Sequence, residues 1–109
     1  MSERKPPSHL NRRAKDWWRK LVSEFEFQTE ADWRLLEEAA GCVQRIEECR
    51  AVIKEKGLMI PTGTGSWKPN PATNIERDCR ILLARLLREL RLNDAPGIDD
   101  RPPALKKRR

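Results

Sequence analysis

Tyrosine is absent from the 109 residues, histidine occurs once, as His9, and cysteine three times, as Cys42, Cys49 and Cys79. A metal centre built on histidines, or a nucleophile assisted by one, would have to be made from that single side chain. The cysteines are odd in number and match no zinc spacing, and all three fall on segments with helical apolar periodicity, which marks them as reduced core residues. No catalytic group, metal ligand or cofactor is expected, so the chain is read as a non-enzyme. No apolar run approaches the ~20 residues that span a bilayer, and Met1-Ser2-Glu3-Arg4-Lys5-Pro6-Pro7 carries no secretory apolar stretch. The protein is expected to stay in the compartment where it is made, away from membranes. A phosphate cradle is missing too, because Gly63-Thr64-Gly65-Ser66-Trp67-Lys68 lacks both the spacing of G-x-x-x-x-G-K-[ST] and the residue after its lysine.

Charge is what the sequence has in quantity. Lys and Arg number 23 against 17 Asp and Glu, a net +6, with a pI near 9.7. Such a balance favours a polyanionic partner, such as nucleic acid or an anionic surface. The excess is uneven, at +3 over residues 1–28, −2 over 29–57, +3 over 58–92 and +2 over 93–109. A chain of this length makes one small domain. Proline and basic residues at both ends divide it into a flexible basic N-terminus (1–10), a helical domain (11–92) and a mobile basic tail (93–109) that closes on Lys106-Lys107-Arg108-Arg109.

Within the domain the periodicity predicts three helices. The first starts after Asn11, a good N-cap, and runs to about Glu26, with Ala14, Trp17, Trp18, Leu21, Val22 and Phe25 on one half and Arg12, Arg13, Lys15, Arg19 and Lys20 on the other. A second helix opens at Thr29, with Asp32 as a short capping-box acid, and reaches Lys56 before Gly57. Leu58 is expected to fold back on Ile53 there in a Schellman contact. The next thirteen residues hold Pro61, Gly63, Gly65 and Pro69, which is compatible with either a loop or a short hairpin. Asn70 and Pro71 then start a third helix that extends to about Leu92, with Ile75, Cys79, Leu82, Leu83, Leu86, Leu87 and Leu90 in one stripe. Arg77, Arg80, Arg88 and Arg91 lie near a common line on its other side.

The fold class expected is therefore all-α, a three-helix subunit with a long central helix. That helix spreads Trp33, Leu35, Leu36, Ala39, Ala40, Cys42, Val43, Ile46, Cys49 and Ile53 over about half its circumference, more than two neighbours need to cover. Self-association answers the excess, and a head-to-tail contact that closes makes a ring. A ring of basic subunits sums many modest charges around one axis. Trp17, Trp18 and Trp33 read as core or interface anchors, which leaves Trp67 in the loop unassigned.

The ordered set of features resembles the small subunit of tailed-phage terminase. The residues that carry the likeness are Pro7-Ser8-His9-Leu10-Asn11 before a helix with Trp17-Trp18, then Gly57-Leu58, Asn70-Pro71-Ala72, Ile75-Glu76-Arg77-Asp78, Leu83 to Leu92, and Arg101-Pro102-Pro103, spanning about residues 6–105. That resemblance implies a non-enzymatic DNA-packaging factor of the host cytoplasm. Such a factor forms a ring, engages viral double-stranded DNA and recruits or regulates the large terminase subunit, which carries the ATPase and nuclease. The sequence shows no clear helix-turn-helix, since only Phe27-Gln28 separates the first two helices and the second has acidic Glu37, Glu48 and Glu55 on its outer face. Phosphate contacts are expected instead from Arg12, Arg13, Lys15, Arg19 and Lys20, from Arg77, Arg80, Arg88 and Arg91, and from Lys106, Lys107, Arg108 and Arg109. The alternative function is a dimeric DNA-binding transcriptional regulator, which needs a basic recognition helix and defined half-sites.

Overall fold

A computed structural model describes residues 4–92 and orders them as α1 (Arg12–Glu24), α2 (Glu30–Lys56), β1 (Met59–Pro61), β2 (Trp67–Pro69) and α3 (Pro71–Leu90). The all-α expectation holds, with a long central helix and, among the described residues, only a two-stranded ribbon besides. Residues 1–3 and the tail 93–109, including Lys106, Lys107, Arg108 and Arg109, lie outside the described residues.

Each helix starts where a polar side chain satisfies orphan backbone donors. Asn11 Oδ1 accepts from the Ala14 amide at 2.9 Å. Thr29 Oγ1 accepts from Asp32 N while Asp32 accepts from Thr29 N, a complete capping box. Asn70 Oδ1 accepts from Ala72 N at 3.0 Å, ahead of Pro71 in the first turn.

The helix ends are set by packing. α1 stops at Glu24, two residues short of the expectation, because Phe25 turns extended at φ −126°, ψ 154°. Extended backbone has a period of two, so Phe25 and Phe27 both point into the core, which a helix would not permit. α3 ends at Leu90 rather than Leu92: Arg91 takes the left-handed conformation (φ 58°, ψ 39°) and returns Leu92 to the core beside Leu90. The Schellman contact is replaced as well. Gly57 sits at φ 90°, ψ 172°, outside the left-handed helical basin, and Leu58 is 66% exposed.

The segment between α2 and α3 is a hairpin, with Met59 opposite Pro69, Ile60 opposite Lys68 and Pro61 opposite Trp67. Its tip is closed by Thr62 N donating to Ser66 O at 3.0 Å. At its base Asn70, only 4% exposed, also donates its side-chain amide to Gly57 O and its backbone N–H to Leu58 O, so one residue joins the end of α2, the ribbon and the start of α3.

α3 returns antiparallel along α2, as Arg50 faces Glu76, Cys42 packs with Leu86, and Leu36 and Ala40 share a cluster with Leu90. That main cluster also takes in Ala14 and Trp18 of α1 and Leu10 before it. The segment 4–10, which the sequence reading placed in a flexible N-terminus, lies on α2: Arg4 stacks over the Trp33 ring at 4.9 Å and pairs with Glu30 at 2.7 Å. Trp18, Trp33 and Phe27 form a tilted aromatic series with centroids 5.2–5.6 Å apart.

The apolar stripe of α2 corrects the expectation of excess. All ten of its residues are buried or half-buried within one copy. Among the described residues the exposed large apolar side chains sit elsewhere, at Leu58, Met59 and Trp67 in and beside the ribbon and at Ile75, Ile81 and Leu82 on α3, with Val52 alone on α2.

Candidate nucleic-acid interface

Positive charge is displayed on two separate surfaces. On α1, Arg12, Arg13, Arg19 and Lys20 are exposed and Lys15 is half-buried. Asp16 lies between Arg12 at 4.0 Å and Arg19 at 3.4 Å, while Arg13 reaches across to Glu47 of α2 at 2.8 Å. These pairs are solvent-exposed and each contributes no more than ~1 kcal/mol, so a phosphate can displace the carboxylate at little cost. The α1 surface follows from local sequence, because Trp18 and Ala14 bury one side of a short helix and leave the other to the cations.

The second surface is built by α2 and α3 together. Arg77 and Arg80 project from the first half of α3, and Arg88 is exposed further along the same helix. Arg91, at the α3 C-cap, is half-buried, which sets it apart from the exposed arginine line. Arg77 and Arg80 converge with Arg50 and Lys54 of α2 on a cleft of about 550 Å³, also lined by Ile53, Leu58, Thr73, Asn74 and Glu76. Glu76 Oε1 accepts from Arg80 Nε at 2.8 Å, and its other oxygen is 3.9 Å from Arg50. The hydrogen bond from Arg80, with the charges of Arg80 and Arg50, holds the Glu76 carboxyl below the usual carboxylate range.

Sequence reasoning placed Arg77 and Arg80 here but missed Arg50 and Lys54. Their i, i+4 spacing was visible, yet they lie on the one segment with net negative charge, and only the antiparallel return of α3 brings them opposite other cations. A smaller cleft of about 310 Å³ at the other end of α2 is lined by Arg4, Lys5, Glu30 and Glu37 around Trp18 and Trp33. Its two cations and two carboxylates balance, so it exerts no comparable pull on an anion.

Cys42 and Cys49 are buried and Cys79 half-buried. No group of three or more His, Cys, Asp or Glu side chains suited to a metal ion occurs among the described residues. No helix among them is long and apolar enough to cross a membrane.

Compared with known proteins, the chain matches a family model described as phage terminase, small subunit, over residues 14–95, a span that takes in α1 from its third residue onward, α2, the ribbon and α3. No curated protein and no solved structure matches.

Proposed function

The chain belongs to the phage terminase small-subunit family, and on that premise we propose that it is a non-catalytic packaging factor that assembles into a ring, holds viral double-stranded DNA by its phosphates, and recruits or regulates the large ATPase and nuclease subunit. The observation that carries this reading is the family match over residues 14–95, taken with the net +6 of the sequence. Two further features support it. The cations of α1 and α3 stand on helix surfaces and fit backbone contacts rather than base reading. The exposed Ile75, Ile81 and Leu82 on α3 and Leu58, Met59 and Trp67 by the ribbon offer apolar surface for neighbouring copies.

Duplex DNA titrated at a series of salt concentrations tests the electrostatic part. The logarithm of the affinity should fall linearly with the logarithm of salt, by ~0.9 for each phosphate neutralised. An affinity that ignores salt would remove phosphate contact from the account. For the partner, addition of the chain to the large subunit should change its ATP hydrolysis rate, and an unchanged rate with no co-purification would count against recruitment.

A further inference from the structure

The cleft between the C-terminal half of α2 and the N-terminal half of α3 has a charge balance that the family reading leaves unused. Four cationic side chains, Arg50, Lys54, Arg77 and Arg80, line it against a single carboxylate, Glu76, which leaves a net +3 within about 550 Å³. Glu76 has a side chain only 15% exposed and is forked between Arg80 on its own helix and Arg50 on the other. It holds Arg80 by a hydrogen bond at 2.8 Å and attracts Arg50 from 3.9 Å without cancelling the charge around them. Arg77 has its carboxylate partner, Asp78, 3.5 Å away on the side not lining the cleft. Lys54 has no ion-pair partner among the described residues.

The setting magnifies that charge. Ile53 and Leu58 add apolar surface beside the cations, and a cleft with an excess of one sign raises the local concentration of counter-ions. Arg50 and Lys54 stand one helical turn apart, ~6 Å along α2, facing Arg77 and Arg80 on the antiparallel helix. Two opposed cationic walls suit a ligand that carries regular negative charge along its length.

We propose that this α2–α3 cleft is a phosphodiester-binding site in which Arg50 and Lys54 act with Arg77 and Arg80 on a nucleic-acid backbone and Glu76 positions the two arginines nearest it. The proposal rests on the DNA-binding reading above and extends it to the helix whose net charge argues against contact. A phosphodiester strand fits better than an acidic peptide. The cleft is lined by residues of α2 and α3 and by Leu58 between α2 and β1, none of them in a strand, so a peptide backbone finds no strand edge there to pair with. A nucleic-acid strand carries its charge on the backbone itself and needs only the cations.

The test uses the full chain and a duplex long enough to span the assembly, titrated at several salt concentrations. Arg50→Gln with Lys54→Gln removes two charges from the cleft. Arg34→Gln with Arg45→Gln removes two from exposed positions on the same helix outside it, and circular dichroism establishes that both variants remain folded. The expected result is a salt slope smaller by about 1 or more for the cleft variant, since loss of one phosphate contact lowers the slope by about 1, with tenfold or weaker affinity at low salt and a much smaller change in the control. Equal losses in the two variants overturn the proposal and leave only general charge. An unchanged cleft variant overturns it while the DNA-binding reading stands. A cleft that binds poly-glutamate but not duplex, read from the shifts of the Thr73, Asn74 and Lys54 amides, overturns it in favour of a peptide ligand. A wild-type chain that fails to bind duplex overturns the functional reading and this inference with it.

Discussion

Leu36 has no exposed surface and lies where all three helices meet, so Leu36→Ala should lower the unfolding free energy by ~2–5 kcal/mol, seen as a lower urea midpoint at constant slope. Burial pushes the Cys42 and Cys49 thiols above their ordinary 9.0, with the neighbouring Cys79 adding to the rise. A value raised by folding means stability that is complete below the ordinary thiol range and declines as pH climbs through the raised value. Unfolding free energy should therefore fall on the alkaline side of about pH 9, and a thiol reagent at neutral pH should modify the half-buried Cys79 before either buried cysteine. Glu76 has the opposite sign. Its depressed value gives stability that is present above the ordinary carboxylate value of 4.5 and is lost as acid takes pH down through the folded value. Glu76→Gln should reduce that acid sensitivity in a denaturation series. At this scale the core was legible from sequence, because Trp17, Trp18 and Trp33 fall on helical stripes and lie in or against the core. Arg50 and Lys54 were not, because nothing in their own segment reveals which helix will return beside them.

The start of each element was written locally and the end was not. Asn11, Thr29 with Asp32, and Asn70 with Pro71 are chemical signals a few residues long, and each caps the helix the sequence assigns to it. The stops at Glu24 and Leu90 depend on Phe27 and Leu92 finding places in the core, which only the packed fold supplies. Asn70 carries the most at this scale, since its four side-chain and backbone donors and acceptors tie α2, the ribbon and α3 together in a buried place. Asn70→Ala should cost ~1–3 kcal/mol by leaving buried backbone groups without partners, measured by thermal melts. Gly57 lies at a φ of 90° and ψ of 172°, a region essentially confined to glycine. An added Cβ there meets nothing closer than Met59 O at 3.7 Å, so the cost is conformational rather than steric. Gly57→Ala should destabilise by ~1–3 kcal/mol while duplex affinity per folded molecule stays unchanged.

For the whole molecule, the expectation of uncovered apolar surface on α2 fails, and the exposed apolar side chains lie elsewhere. α2 is closed over by its neighbours, and the surplus is on α3 and the ribbon, where Trp67 is 64% exposed. Periodicity indicates how much apolar surface a helix has but not which part a second helix will cover, and the 27 residues of α2 are long enough to be covered in turn by α1 and α3. If these side chains join neighbouring copies, Ile81→Asp with Leu82→Asp should reduce the assembly to smaller species in sedimentation without loss of helix content. The account as a whole turns on copies combining to hold one duplex. Native mass spectrometry of the full chain mixed with a short duplex tests this most directly. The predicted spectrum contains one dominant species with a single duplex and more than two copies of the 12.7 kDa chain. A spectrum of free duplex beside the single 12.7 kDa chain would contradict it.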